Sequence, residues 1–257
     1  MENPWILSHQ NNQVLTLTLN RPEVRNALST DCLELLVQNL EQAAANDEIG
    51  AIVITGNSRF FAAGADLKEL QQQTVANAIT DRRPQVWQRL SMISKPIITA
   101  ANGYALGAGF ELLLASDIII AGESARFGLP EITLGLIPGA GGTQRLIRSV
   151  GKSLAMQMVL TGEPINAKHA LQAGLISEIC VDELVVERAQ KIAQRIAIHA
   201  PLAVRAAKAS LIHSQENHLA EGLQLERQYF VALAGTEDRR EGIDAFFEKR
   251  KPQFTGK

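Results

Sequence analysis

Cysteine is scarce in this chain, and a disulfide framework is not suggested. Its only cysteines, Cys32 and Cys180, lie far apart and outside any CxxC pair, which argues against a zinc knuckle as well. The five histidines (His9, His169, His199, His213 and His218) form no HExxH motif. His213 and His218, five residues apart, miss a common helical ridge, and no metal is needed to explain the chain. A basic surplus is also missing: Lys+Arg number 25 against Asp+Glu 27, a formal charge of −2. That balance offers no footprint for a phosphate backbone, so nucleic acid is not expected as a partner. The first residues lack the basic start and apolar run of a secretory signal. The longest nearly uncharged stretch, residues 96–116, carries Asn102, Glu111 and three glycines, so no membrane span is expected. The chain therefore reads as cytoplasmic.

The 257 residues, 46% of them hydrophobic, suit one large domain with a smaller appendage. Residues 14–19 (VLTLTL) alternate at period two and predict a half-buried strand, ended by Asn20-Arg21-Pro22. From Ser29 the spacing becomes helical, through Leu33, Leu36, Val37, Leu40 and Ala44, with Ser29 or Thr30 as the cap. Residues 51–55, 97–100 and 118–120 are buried-type strands, and 108–115 an apolar helix. The alternation predicts an α/β fold with largely parallel sheets. Beyond residue 186 strand signals vanish, and helices are expected near 183–198, 201–213, 216–234 and 237–249. The division predicted is a core over 1–195 and a helical region over 196–257. Residues 71–85 are polar and expected to be mobile.

Two carboxylates stand where charge is out of place. Glu111 is the only charge between Lys95 and Asp117, and Phe110, Leu112, Leu113 and Leu114 surround it on a helical turn. Such a helix is usually buried, and an unpaired buried carboxylate is costly unless paired, protonated or functional. Glu131 is equally isolated between Arg126 and Arg145. A plain alternative gives each glutamate a backbone N–H or an arginine as partner. Desolvation would raise either carboxyl toward neutrality, as a general acid/base requires. Both lie near glycine-rich turns, residues 60–66 and 103–109, each leading into a helix. Small residues there let bare N–H groups approach a ligand and stabilise an oxyanion. A dinucleotide fingerprint at 97–115 is the competing reading. It stands about 100 residues into the chain, no Tyr-x-x-x-Lys pair follows, and the turn at 139–143 lacks the lysine of a Walker loop.

The ordered set Arg25-Asn26-Ala27-Leu28, Phe61-Ala62-Ala63-Gly64-Ala65-Asp66, residues 102–112 (NGYALGAGFEL), Phe127-Gly128-Leu129-Pro130-Glu131 and residues 138–146 (PGAGGTQRL) resembles the crotonase family. The match runs nearly the whole chain, to Phe246-Phe247-Glu248-Lys249-Arg250. The resemblance implies a spiral of ββα units with a C-terminal helical trimerisation region, assembled as a trimer or a hexamer of two trimers. It implies hydration of the C2=C3 bond of a 2-enoyl-CoA, with CoA as part of the substrate and no separate cofactor. In detail the sequence looks like the hydratases of 2,3-dehydroadipyl-CoA in bacterial phenylacetate degradation. A general short-chain fatty-acid hydratase and a Δ3–Δ2 isomerase are the alternatives, the latter typically needing one carboxylate.

By the same resemblance, Glu111 activates water and Glu131 protonates C2. The backbone N–H groups of Ala63 and Ala108 would hold the thioester oxygen, the methyl of Ala108 narrowing a pocket that is glycine-lined in many relatives. The stretch Ala63, Gly64, Ala65, Asp66 and Leu67 would lie against CoA. Arg25 would sit near its phosphates, and Phe246 and Lys249 would reach the CoA of an adjacent subunit. Arg82, Arg83 and Trp87 are candidates for the acyl tail, each with the alternative of a solvated face beside a loop.

Overall fold

The computed structural model describes residues 4–257. It opens with an antiparallel hairpin of β1 (Ile6–Asn11) and β2 (Val14–Leu19). Helix α1 (Thr30–Ala45) follows, capped by Ser29, whose hydroxyl accepts the Cys32 N–H at 3.2 Å. A two-strand unit then recurs. β3 (Ala51–Thr55) and β4 (Phe60–Ala62) lead to the short helices α2 (Leu67–Gln71), α3 (Val75–Ile79) and α4 (Arg83–Ser91). β5 (Ile97–Ala101) and β6 (Tyr104–Leu106) lead to α5 (Ala108–Leu114). β7 (Ile118–Gly122) and β8 (Arg126–Gly128) lead through a 3-10 turn, Pro130–Leu134, to α6 (Gly142–Thr161), kinked at Gly151. The core ends with β9 (Ile165–Asn166), α7 (Ala167–Gln172), β10 (Glu178–Cys180) and α8 (Val185–Ala197).

The first strand of each unit joins a six-stranded sheet of order β1-β2-β3-β5-β7-β10, parallel from β2 onward. The second joins a four-stranded sheet, β4-β6-β8-β9, whose first three strands are parallel. Winding between two sheets in this way makes the ββα spiral that the resemblance implies.

The larger sheet is covered on both faces. Leu15, Leu17, Ile52, Ile54 and Ile97 join the main core with α1. Val14, Val53, Ile98 and Ile120 meet Val185, Ala189, Ala193 and Ala197 of α8, a stripe at four-residue spacing. The expectation of a half-buried strand at 14–19 is therefore corrected. Thr16 lies beneath α8, its hydroxyl accepting from Gln190 Nε2 at 2.9 Å, and is itself buried. Alternation there marks two apolar environments rather than core and solvent, as parallel sheets require.

The C-terminal region consists of α9 (Pro201–His213), α10 (Leu219–Leu233) and α11 (Glu237–Glu248). Lys208 ties α9 to the core, bonding the Lys95 carbonyl at 2.9 Å and Asp117 at 2.7 Å. Buried Lys95 in turn donates to the carbonyls of Ala43 and Asn46, closing the C-terminal end of α1. Buried Asp238 accepts the N–H groups of Thr255 and Gly256 at 2.7 and 2.9 Å, folding the tail back on α11. Residues 71–85, expected to be mobile, carry α3 and the start of α4. Among the described residues no helix is long and apolar enough to cross a membrane.

Candidate active site

Three neighbouring parallel strands of the smaller sheet end at one edge, and the candidate residues follow directly from those ends. Ala62 pairs with Ala105, and Leu106 with Gly128. Parallel neighbours deliver the residues after them to the same side of a sheet. Beyond β4 comes the turn Ala63-Gly64-Ala65, beyond β6 Gly107 and Ala108, and beyond β8 Glu131. One turn into α5 stands Glu111. These residues line one cavity of ≈ 420 Å3 with Leu28, Leu70, Trp87 and Ala140.

The start of α5 comes unusually close to β4, and Gly109 permits it. A Cβ at Gly109 would lie 2.3 Å from the Ala62 carbonyl oxygen and 2.7 Å from the Ala62 Cβ. Gly107 turns the chain into the helix at φ 50 and ψ −127, a conformation that L side chains rarely adopt. Gly109→Ala should therefore push α5 off β4 and cost about 1–3 kcal/mol, the range for overpacking. Urea unfolding measures this, and an unchanged midpoint would refute the close contact.

The two glutamates differ in their surroundings. Glu111 is 2% exposed. Its Oε1 accepts the N–H groups of Ala140 at 2.7 Å and Gly142 at 2.8 Å, at the start of α6, where the helix dipole favours an anion. Arg145 holds that turn by donating to the Ala140 carbonyl at 2.9 Å. Burial pushes the Glu111 carboxyl above its ordinary value, while the Gly142 and Ala140 N–H groups and the Arg145 charge pull against it. Glu131 has fewer partners, and its buried Oε2 meets none among the described residues. Burial pushes it up to about 7, its own backbone N–H opposing and the Glu111 charge adding to the rise. Thus Glu111 takes the backbone partners that the plain alternative allowed it, and Glu131 Oε2 has none among the described residues. Glu111 is the carboxylate whose ionised form is supported, and Glu131 the one that keeps its proton near neutrality.

One expectation for the oxyanion donors is corrected. The Ala63 N–H donates to the Arg25 carbonyl at 3.0 Å, so it is already engaged. Ala65 is the central residue of a parallel bridge to Leu28, made by the Leu28 N–H to the Gly64 carbonyl and the Asp66 N–H to the Leu28 carbonyl. A central residue of such a bridge keeps its own N–H free on the other side. Ala65 lines the cavity, and so does Ala108, the first residue of α5 and without an intrahelical acceptor. Among the described residues neither N–H has a protein acceptor. The free pair is Ala65 and Ala108. The Ala-Ala-Gly-Ala run offers several small residues, and only the bridge register distinguishes them.

Other expected residues disperse. Gly64 and Leu67 line the cavity, whereas Asp66 caps α2, its Oδ1 accepting the Lys68 N–H at 3.1 Å. Arg25 is exposed beside the turn, its guanidinium 5.7 Å from the Phe60 ring centroid. Phe246 and Lys249 are exposed on and just beyond α11 and do not line this chain's cavity. Arg83 and Trp87 line it, but Arg82 does not: its side chain, 70% exposed, faces Asp31 at 3.6 Å. The sequence reading missed Asp81 and Gln73, which hold Arg83. Asp81 Oδ2 accepts from Arg83 Nε at 2.7 Å and from Gln73 Nε2 at 3.2 Å. Burial raises the Asp81 carboxyl, but its bonds to Arg83 outweigh this and hold it below the usual range. An Asp two residues before an arginine at a helix start was the available signal.

Such an arrangement can polarise a carbonyl with two N–H donors and move protons through two carboxyls of unequal acidity. Comparison with known proteins points the same way. A sequence profile of the enoyl-CoA hydratase/isomerase family matches residues 9–257. The chain is 58% identical over 252 residues, 98% of each protein, to a 2,3-dehydroadipyl-CoA hydratase of Escherichia coli (strain K12). It is 48% identical to a mitochondrial enoyl-CoA hydratase of Pongo abelii, covering 95% of this chain and 84% of that one. A crystal structure of an enoyl-CoA hydratase from Bacillus anthracis superposes with a TM-score of 0.94 at 38% identity, over 99% of this chain and 100% of the other. The chain belongs to the enoyl-CoA hydratase/isomerase family.

Proposed function

We propose that this chain adds water across the C2=C3 bond of 2-enoyl-CoA thioesters, converting 2,3-dehydroadipyl-CoA to 3-hydroxyadipyl-CoA in phenylacetate catabolism. The observation that carries the chemistry is the pair of carboxyls, unlike in acidity, facing one cavity beside two unused N–H donors. The thioester oxygen accepts from Ala65 and Ala108, which draws electron density from C3 and favours the enolate. Ionised Glu111 takes a proton from water as its oxygen bonds to C3. Protonated Glu131 delivers its proton to C2 as the enolate collapses. The cycle closes when a proton passes from Glu111 back to Glu131. The substrate reading rests on the 58% identity to the Escherichia coli protein.

CoA enters as part of the substrate, and the scheme uses no further cofactor. We assign Ala63–Leu67 and Arg25 to the CoA side, with Phe246 and Lys249 serving the CoA of a neighbouring subunit. A trimer, or a hexamer of two trimers, would provide that neighbour. Apolar side chains left uncovered on α10, among them Leu219 at 78% and Phe230 at 66% exposure, support assembly. We place the protein in the cytoplasm, in keeping with its free thiols Cys32 and Cys180.

Loss of the conjugated enoyl-thioester absorbance tests this reading, with 2,3-dehydroadipyl-CoA, crotonyl-CoA and a longer straight-chain enoyl-CoA compared. The expected kcat/KM is highest for 2,3-dehydroadipyl-CoA, by about 10-fold or more, the effect of one charge-assisted contact. Preference for a monocarboxylic substrate would overturn the substrate but keep the hydratase. No loss with any of the three would overturn the hydratase.

A further inference from the structure

We propose that Arg83 is the receptor for a carboxylate at the far end of the acyl chain, held ready for it by Asp81 and Gln73. The inference rests on the hydratase reading above and names the residue that selects the substrate. Among the described residues, Arg83 is the only cation lining the cavity that contains Glu111 and Glu131. Its side chain is only 20% exposed and that of Asp81 16%. Partly burying an ion pair carries a desolvation cost, and a cavity for a plain hydrocarbon tail gains nothing from it.

The geometry leaves part of the guanidinium free. Asp81 Oδ2 lies 2.7 Å from Nε and 2.6 Å from Nη2, so it occupies one edge. Nη1 donates to no protein acceptor among the described residues. Asp81 Oδ1 accepts the Arg83 backbone N–H at 2.9 Å, and Gln73 shares the same carboxylate. The pair is thereby anchored at the start of α4, and the Nη1–Nη2 edge remains for a second carboxylate, a two-pronged match that a lysine could not supply. Leu70, Pro84 and Trp87 line the cavity nearby in the chain and suit the methylene groups between the reacting carbons and that end. Arg82, turned out toward Asp31, takes no part.

Calorimetric binding of adipyl-CoA and hexanoyl-CoA tests the assignment. The two share chain length, lack the double bond and differ at the terminus, so turnover is not needed. Wild type should bind adipyl-CoA more tightly, and Arg83→Met should reduce the ratio of the two Kd values about 10- to 100-fold, the effect of losing a charged hydrogen-bond partner. A wild-type preference that survives in Arg83→Met would overturn the role of Arg83 and leave the dicarboxylic substrate standing. No wild-type preference would overturn both. Should Arg83→Met fail to fold, Arg83→Lys carries the test: it keeps the charge but loses the fork, so the ratio must fall in the same direction, and an unchanged ratio refutes the proposal.

Discussion

Replacing Glu131 by glutamine is expected to cut hydration at least ~10²-fold, and up to ~10⁴-fold, while making the protein more stable at alkaline pH. The two effects have one cause. Folding takes the Glu131 carboxyl from its ordinary value of 4.5 to about 7, chiefly by burial. Between those values the folded chain holds a proton that the unfolded chain has released, so stability falls as pH rises through this window and is level above it. The difference corresponds to about 3 kcal/mol, and the side chain's partial contact with solvent reduces it to about 2. Glutamine never ionises and escapes that cost, so Glu131→Gln should gain about 1–2 kcal/mol at pH 8, shrinking toward zero near pH 5. Wild-type kcat/KM should fall as pH climbs past about 7, because the proton donor is lost. Glu111→Gln should lose turnover comparably, also by at least ~10²-fold, for want of a base. Its amide oxygen can still accept from Ala140 and Gly142, so the fold should survive. Turnover assays paired with urea unfolding at pH 5 and 8 test all of this. A Glu131→Gln protein with near-normal turnover would remove that residue from the reaction.

The second large effect concerns a donor that no ordinary side-chain replacement can remove. Ala108 is the first residue of α5, after the cap Gly107. Proline is favoured at that place in a helix, because the N–H it lacks has no helical acceptor in any case. Ala108→Pro should therefore keep the helix and delete one of the two free N–H groups. Loss of a single oxyanion donor lowers kcat by about 10²–10³-fold, with KM changing much less if the donor acts chiefly on the enolate. Steady-state kinetics together with thermal unfolding decide it. A fully active, folded Ala108→Pro protein would mean that the thioester oxygen lies elsewhere.

Much of the site is legible along the chain, and the limits have identifiable causes. Glu111 and Glu131 are conspicuous because each is a lone charge in an apolar run, and charge is buried only for a reason. The strands at 51–55 and 97–101 are equally plain as continuous apolar segments. The short strands β4, β6 and β8, three residues each, carry no periodic signal at that length, although they align the edge that brings Ala65, Ala108 and Glu131 to one cavity. The two arginines offered as acyl-tail candidates show the same limit. Arg82 and Arg83 are identical in type and adjacent in sequence, and only the start of α4 sends one toward Asp31 and the other into the cavity.

By itself the sequence determined the alternation of strand and helix, the helical C-terminal region, the two glutamates and the glycine-rich turns. Each of these follows from local periodicity or from the cost of placing a residue type among its neighbours. Tertiary structure alone decided which N–H groups are free, since the Ala63 donor is consumed by Arg25 and that of Ala65 is spared by the register of its bridge to Leu28. It also decided the unequal acidity of the glutamates, because the N–H groups that support the Glu111 anion come from residues 29 and 31 positions further along the chain. Hydrogen bonds and desolvation depend on distance in space, and sequence spacing carries that distance only within an element.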